Sequence, residues 1–128
     1  MTTAQPMTTQ QVAEQLVSLC RQGQNLVAME QLYDANIVSV EASTSEGARA
    51  YKEVTGIAAC KEKGMKWVAA HEIHGATVEG PFMHGADKFA VYFVFDVTPK
   101  ATGQRDSKKE VGLYTVKNGK ITREEWYF

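Results

Sequence analysis

The first part of the chain repeats its apolar residues at the spacing of an α-helix. These residues are Val12, Leu16, Leu19 and Cys20. Thr8 or Thr9 can cap this helix, and Gln11 is placed to complete a capping box around Thr8. Gly23 is a suitable C-terminal stop, because glycine readily adopts the left-handed conformation found there. The pattern therefore predicts a first helix that ends near Gly23.

Two more helices are predicted before residue 70. The first covers about residues 25–34, with Leu26, Met29, Leu32 and Tyr33 on its apolar face. A short strand rich in β-branched residues follows at 37–41, and then a polar loop at 42–50. The third helix is expected at about 55–66, where Gly64 ends or loosens it.

The pattern changes to strands after residue 70. Four are predicted, at 71–78, 89–97, 110–117 and 121–128. Gly80-Pro81 predicts a break or bulge after the first of them, and Asn118-Gly119 predicts a tight hairpin turn before the last. Helices that precede a run of strands indicate an α+β fold with an antiparallel sheet.

The segment 89–97 is apolar or aromatic on both faces for most of its length, so both faces are expected to be buried. The helices can cover one face. The other carries Ala90, Tyr92 and Val94, and needs a second subunit or another layer. We therefore predict a homodimer through the outer sheet face at Tyr92 and Val94.

Composition limits the possible classes of protein. The chain of 128 residues corresponds to one domain, with residues 1–8 expected to form a flexible tail. Its net charge of −1 provides no field to attract nucleic acid or an anionic membrane. No apolar stretch approaches the roughly 18 residues of a membrane span. The start of the chain lacks a secretory signal, so reduced Cys20 and Cys60 and a cytoplasmic location are expected.

Several short motifs, in this order, resemble the nuclear transport factor 2-like superfamily, and most closely its small bacterial branch of SnoaL-like polyketide cyclases and ketosteroid isomerase. They are Leu32-Tyr33 leading into the strand at 37–41, the Gly-and-Ala opening at 55–59, the hairpin at 111–121, and the acidic and aromatic end at 124–128. The resemblance implies a cone-shaped, curved antiparallel sheet wrapped around three helices. It also implies an internal apolar pocket and commonly a dimer. Because this fold supports isomerases, cyclases, dehydratases, epoxide hydrolases and proteins without known activity, the resemblance does not specify the chemistry.

Glu41 is the first candidate catalytic residue. It follows Tyr33 by eight positions, and in proteins that resemble ketosteroid isomerase a carboxylate stands at that separation. A carboxylate at the mouth of an apolar pocket can act as a general base, although a solvent-exposed strand end is the alternative. The isomerase's two oxyanion donors have no counterpart here, since their positions fall near Leu16 or Val17 and at Gly112. Steroid isomerisation is therefore not expected.

Glu110 and Glu124 are further candidates. If Phe93 faces the helices, alternation along the strands places both glutamates on the same inner face. Two carboxylates in one apolar site separate their pKa values, which would provide an acid and a base. Salt bridges with Lys109 or Arg123 are the alternative.

The string His71-Glu72-Ile73-His74 lies on a predicted strand, where its two histidines point to opposite faces. We therefore expect no shared metal ion, and retain His74 as a candidate acid or base in the pocket. Aromatic residues provide either core packing or a wall for a cyclic ligand. They are Tyr51, Trp67, Phe93, Tyr114 and Trp126. No P-loop or dinucleotide fingerprint is found, so no cofactor is expected.

Two functions follow from these observations. The first is binding of a small apolar or carbonyl-containing ligand, with cofactor-free acid–base chemistry of the isomerase, cyclase or hydratase type. The alternative is a non-catalytic dimer that binds ligands or serves as a protein-interaction module.

Overall fold

The computed structural model describes residues 5–42 and 52–128, which form three helices and six strands. In chain order they are α1 (Thr9–Arg21), α2 (Asn25–Leu32), β1 (Tyr33–Glu41), β2 (Lys52–Thr55), α3 (Ile57–Ala70), β3 (His71–His84), β4 (Lys88–Pro99), β5 (Asp106–Lys117) and β6 (Lys120–Tyr127). The predicted α+β class is confirmed. Most of the loop predicted at 42–50, the candidate Tyr51, and the first half of the expected tail lie outside the described residues.

The first helix begins as its sequence predicts. Thr8 is its N-cap: the Gln11 backbone N–H donates to Thr8 Oγ1 over 3.1 Å, and the Thr8 N–H donates to Gln11 Oε1 over 2.9 Å. This capping box satisfies backbone donors that the first helical turn cannot pair. The apolar stripe of α1 is buried against the sheet, and Val12 and Ala13 have no exposed surface.

The six strands form one curved sheet in the order β2-β1-β6-β5-β4-β3. All neighbouring strands are antiparallel except β1 and β6, which run parallel, so the expectation of a wholly antiparallel sheet needs this correction. The parallel pair joins strands that are far apart in the chain. No local turn sets their relative direction, so folding of the whole domain decides it.

Several elements extend beyond their predicted ends. The α3 helix continues past Gly64 to Ala70, and β5 begins at Asp106 rather than at residue 110. The polar start of β5 pairs with the end of β4, where Val97 lies opposite Asp106. Strand pairing thus overrides the weak strand propensity of these polar residues.

Strand register divides the sheet into an inner face, packed on the helices, and an outer face. On the inner face Phe89 lies opposite Tyr114, which in turn lies opposite Glu124. This is the alternation predicted for these strands. The outer face of β4 carries Ala90, Tyr92 and Val94, which are half-buried in the single chain. Among the described residues, none of the helices is long and apolar enough to cross a membrane.

Candidate functional site

The inner face of the sheet and the helices α2 and α3 surround a cavity of about 590 Å³. Its wall is mainly apolar, and includes Leu26, Met29, Trp67, Phe93, Phe95 and Trp126. The charged side chains among its described lining residues are Glu41, Lys63, Glu110 and Glu124. A mainly apolar cavity of this size with a few polar groups is typical of small-molecule sites.

A row of aromatic rings forms one side of the cavity. The ring centroids of Trp67 and Phe95 lie 5.1 Å apart, those of Phe95 and Phe93 5.6 Å, and those of Phe93 and Trp126 5.4 Å. Contacts in this range add stability beyond the area they bury. Only Phe93 and Phe95 are near parallel, at 8°, whereas Trp67 and Trp126 are tilted by 56° and 49° from their phenylalanine neighbours. The row therefore gives the cavity an apolar aromatic wall suited to a ring compound.

Helix α3 contributes a stripe of residues to the cavity wall. Cys60, Lys63, Gly64, Trp67 and Val68 all line the cavity, at the three- and four-residue spacing of one helix face. Four of these positions are apolar or small, so the lysine is the exception in the stripe. Gly64 brings the helix close to α2, since a Cβ there would lie 3.5 Å from Met29 Cε.

Glu124 lines the cavity and is only 1% exposed. The Tyr33 hydroxyl donates a short hydrogen bond to its Oε1, and the Trp126 indole N–H donates to its Oε2 over 2.9 Å. Each carboxyl oxygen therefore has a protein partner. Burial without partners would be costly for such a group.

Burial raises the pKa of Glu124 above its ordinary value of 4.5, while the hydrogen bonds from Tyr33 and Trp126 oppose this rise. Burial and the nearby Glu124 also raise the pKa of Tyr33 well above 10. Loss of solvation penalises a buried charge, and two hydrogen bonds only partly compensate. The arrangement favours a neutral tyrosine beside a carboxyl group that retains its proton to a higher pH than usual.

A second polar pair lies beside this carboxyl. Ser39 is fully buried on β1 and lies opposite Glu124 across the parallel strand pair. Lys63 Nζ donates to Ser39 Oγ over 2.6 Å. The lysine also lowers the pKa of Glu124 through its charge. The ammonium group of Lys63 is thus held by a serine that is the direct strand neighbour of Glu124.

The two cysteines are free thiols, as the sequence predicts. Burial, with a smaller contribution from Glu124, raises the pKa of Cys20 to about 12 and that of Cys60 to about 11. A thiol is nucleophilic only as the thiolate. Both thiols therefore remain protonated at neutral pH and serve as packing residues.

The candidate carboxylates come together at one cavity. Glu41, Glu110 and Glu124 all line it, and Glu41 lies opposite Trp126 across β1 and β6. Trp67, Phe93 and Trp126 line it as well. Tyr114 is instead buried in the core, stacked on Phe89 with ring centroids 4.9 Å apart.

His74 lies apart from this group. It is exposed on β3, and its Nε2 lies 2.8 Å from Thr98 Oγ1. Its neighbour Ile73 lines the cavity instead, and the register of β3 on β4 shifts between Ile73 and Gly75, so His74 lies at an irregularity of the strand. His71 stacks on Trp67 at 4.3 Å, behind the aromatic wall.

Sequence reasoning did not identify Tyr33, Ser39 or Lys63 as polar members of the site. The signal for Lys63 was available, since it is a lysine within the apolar stripe of α3. The signal for Ser39 was weaker. It required the register of β1 against β6, which joins two distant segments of the chain.

The fold and the cavity together indicate the class of protein. The curved sheet, the three helices and the apolar cavity between them define a protein of the nuclear transport factor 2-like fold. The family model of the SnoaL-like domain matches residues 7–128. The chain therefore belongs to the SnoaL-like domain family.

Solved structures agree with this assignment. A protein from Mesorhizobium loti, described both as a SnoaL-like polyketide cyclase and as a carbohydrate phosphatase, is 48% identical, with a TM-score of 0.84 over 95% of this chain and 100% of that chain. A Mycobacterium tuberculosis protein in complex with estradiol-17β-hemisuccinate is 20% identical, with a TM-score of 0.65 over 95% of each chain. A Catenulispora acidiphila protein with a ketosteroid isomerase-like fold, bound to trimethylamine, is 17% identical, with a TM-score of 0.69 over 91% and 84% of the two chains. No curated protein matches the sequence significantly.

Proposed function

We propose that this protein binds a small apolar ring or carbonyl compound in the cavity and catalyses acid–base chemistry there without a cofactor. The observation that carries the proposal is the convergence of Glu41, Glu110 and Glu124 on one mainly apolar cavity of about 590 Å³. A mainly apolar wall strengthens the electrostatic effect of these carboxyl groups on a bound ligand. The polyketide cyclase description of the 48% identical relative supports this class of chemistry.

The three carboxyl groups suit different roles. Glu124 is buried and hydrogen-bonded, and its raised pKa suits a group that holds a proton. Glu41 and Glu110 line the cavity and are only half-buried, so a ligand can reach their carboxyl groups. We assign proton abstraction to Glu41, with Glu110 or Glu124 as the acid.

Binding can be tested with the protein's own fluorescence. The two tryptophans of the chain, Trp67 and Trp126, both line the cavity. The neutral probe 4-nitroanisole should quench both when it binds. Ala76→Phe places a ring in the cavity and should weaken binding, whereas Ala101→Phe, at an exposed turn, should not. Equal quenching of all three proteins would contradict a ligand site in the cavity.

Catalysis can be tested without the natural substrate. The protein should accelerate exchange of the α-protons of 2-tetralone in D₂O, measured by NMR. Glu41→Gln, alone or combined with Glu110→Gln, should lower the exchange rate by about 10²- to 10⁴-fold, the usual contribution of a positioned base. Glu53→Gln on the exposed strand β2 is the matched control. Retention of the full rate in both active-site variants would contradict the assignment.

A non-catalytic binding protein is the second candidate function. Leu16 and Val17 are both about 2% exposed in the core, and Gly112 has no side chain, so these positions supply no oxyanion donor. This function predicts that 4-nitroanisole binds while proton exchange stays at the rate of the buffer. The two experiments together separate the candidates.

We also propose that the protein is a homodimer through the outer sheet face. Tyr92 and Val94 are half-buried there, and Tyr92 lies opposite Val111 on the neighbouring strand. Apolar side chains on adjacent strands form a continuous patch that a second copy can cover.

The free thiols of Cys20 and Cys60 support a reducing compartment, and we place the protein in the cytoplasm.

A further inference from the structure

The cavity contains one lysine whose position differs from that of the other lysines on its helix. Lys61 and Lys66 pair with Glu30 and Glu62 over 2.6 and 3.2 Å. Lys63 lies on the cavity face of the same helix, half-buried between Cys60 and Trp67. Among residues 5–42 and 52–128, no carboxylate comes within ion-pair distance of its ammonium group. An ammonium in such an apolar wall has strong potential to bind an anionic group.

The ammonium of Lys63 is held in place by one hydrogen bond. Its Nζ donates to Ser39 Oγ over 2.6 Å, and Ser39 is fully buried. A lysine ammonium has three N–H donors. This bond uses one and positions the group, so two donors remain for a molecule in the cavity.

We propose that Lys63 is the oxyanion-binding residue of this cavity, and that the ligand is an apolar ring compound with a carbonyl, enolate or phenolate oxygen. The inference deepens the proposed ligand-binding function and rests on it. A preorganised ammonium stabilises negative charge that develops on a carbonyl oxygen when a base removes a neighbouring proton. It supplies the donor that Gly112 and the apolar residues Leu16 and Val17 do not.

The remaining charges of the cavity narrow the ligand class further. Glu41 and Glu110 line the same cavity, so a ligand with several carboxylates would meet repulsion there. The aromatic wall of Trp67, Phe95 and Phe93 favours an apolar ring. A single oxygen on an apolar ring satisfies both conditions, with the ring against the wall and the oxygen at Lys63.

Two probes with the same ring test this inference. 4-Nitrophenol is used at a pH at which it is mostly phenolate, and 4-nitroanisole is its neutral methyl ether. Both are titrated into the wild-type protein by tryptophan quenching, and the absorbance band of bound phenolate is recorded. We expect the phenolate to bind about 10- to 100-fold more tightly than the ether, as for a charged hydrogen bond in a sheltered site.

Variants of Lys63 and of its hydrogen-bond partner identify the residue responsible. Lys63→Met should remove the preference for phenolate and its absorbance shift, while 4-nitroanisole still binds. Lys63→Arg should retain part of the preference, because it keeps the charge, and Ser39→Ala should reduce it by loosening the ammonium. Lys61→Met, on the same helix but paired with Glu30, is the control and should behave as wild type.

The outcomes separate the two proposals. If the ether binds but the phenolate has no advantage, or if Lys63→Met keeps that advantage, the role of Lys63 is overturned while the ligand site stands. If 4-nitroanisole fails to quench either tryptophan, the ligand site itself is overturned. Circular dichroism and thermal unfolding of each variant ensure that lost binding is not lost folding.

Discussion

At the scale of single residues, Glu124 is important both for the stability of the core and for the proposed chemistry. It is a carboxyl group within the core, and its two oxygens are satisfied by Tyr33 and Trp126. Such a group contributes to stability only while its partners remain, because an unpaired buried carboxyl loses its solvation without compensation. The same contacts hold it in the wall of the cavity.

Tyr33→Phe should destabilise the fold. The change removes the hydroxyl that donates to Glu124 and leaves one buried carboxyl oxygen with fewer partners. We expect the free energy of unfolding in urea to fall by about 1–3 kcal/mol. Tyr127→Phe is the matched control, because that residue is 42% exposed and donates to Glu125 over 3.3 Å. An equal effect of both substitutions would show that the buried bond adds nothing.

The raised pKa of Glu124 predicts a specific pH dependence of stability. The unfolded chain titrates near 4.5 and the folded protein at a higher pH, so the folded state binds more protons between these values. The contribution of Glu124 is therefore fully present below about pH 4.5 and is lost as pH rises through the folded pKa. Above that pH the carboxylate is charged and buried.

Comparison with Glu124→Gln isolates this effect from other titrating groups. Urea unfolding of both proteins, from about pH 4 to about pH 8, should show the wild type losing stability relative to the variant as pH rises. Glu125→Gln, at the half-buried neighbouring position, should keep the wild-type profile. Parallel profiles for wild type and Glu124→Gln would contradict a raised pKa.

At the scale of elements, strand pairing assembles the site. Ser39 on β1, Glu124 on β6 and Tyr114 on β5 lie in one row across the sheet. Gly112 and Trp126 lie in the next row, together with Glu41. Side chains in such rows are close neighbours on one face. A substitution on one strand therefore affects the position of the side chains on the neighbouring strand.

Gly112→Ala should disturb this arrangement. A Cβ at Gly112 would lie 2.9 Å from Tyr114 Cε2, so the buried ring must move. We expect a loss of about 1–3 kcal/mol in the free energy of unfolding, as for other overpacked cores. Gly75→Ala on β3 has nothing within 4 Å of its new Cβ and should change stability by less than about 0.5 kcal/mol. Tolerance of both substitutions would mean that the core adapts without cost.

At the scale of the whole molecule, the outer sheet face bears on whether the protein is a monomer or a dimer. Ala90, Tyr92 and Val94 alternate there along β4, and Val111 and Leu113 continue the apolar patch on β5. All five are half-buried in the single chain. A second copy would remove their remaining apolar surface from water, which favours association.

If the protein is the dimer proposed above, Tyr92→Glu combined with Val94→Lys should convert it to a monomer. Charged side chains in a closed apolar interface lose solvation without a partner. Sedimentation velocity at micromolar concentration should show a dimer for wild type and a monomer for the variant. Lys100→Glu, at the exposed turn after β4, is the control. A monomeric wild-type protein would rule out this interface at that concentration.

The sequence predicts parts of the fold more securely than it predicts the site. Helix α1 and the hairpin at Asn118-Gly119 follow from local signals, because capping and turn conformations depend on adjacent residues. The continuation of α3 past Gly64 does not, since packing against the sheet and α2 outweighs the local cost of a glycine. The convergence of Glu41, Glu110 and Glu124 on one cavity required an assumed register.

The amino-acid sequence alone determined the α+β class, the family resemblance, and which residues of β4, β5 and β6 share a face. Each follows from periodicity and short motifs, which are properties of neighbouring residues. Only the tertiary structure decided that β1 runs parallel to β6, that Glu124 is paired with Tyr33, and that Lys63 reaches Ser39 inside the cavity. These contacts join segments 24 to 91 residues apart, so they depend on how the whole chain closes around its core.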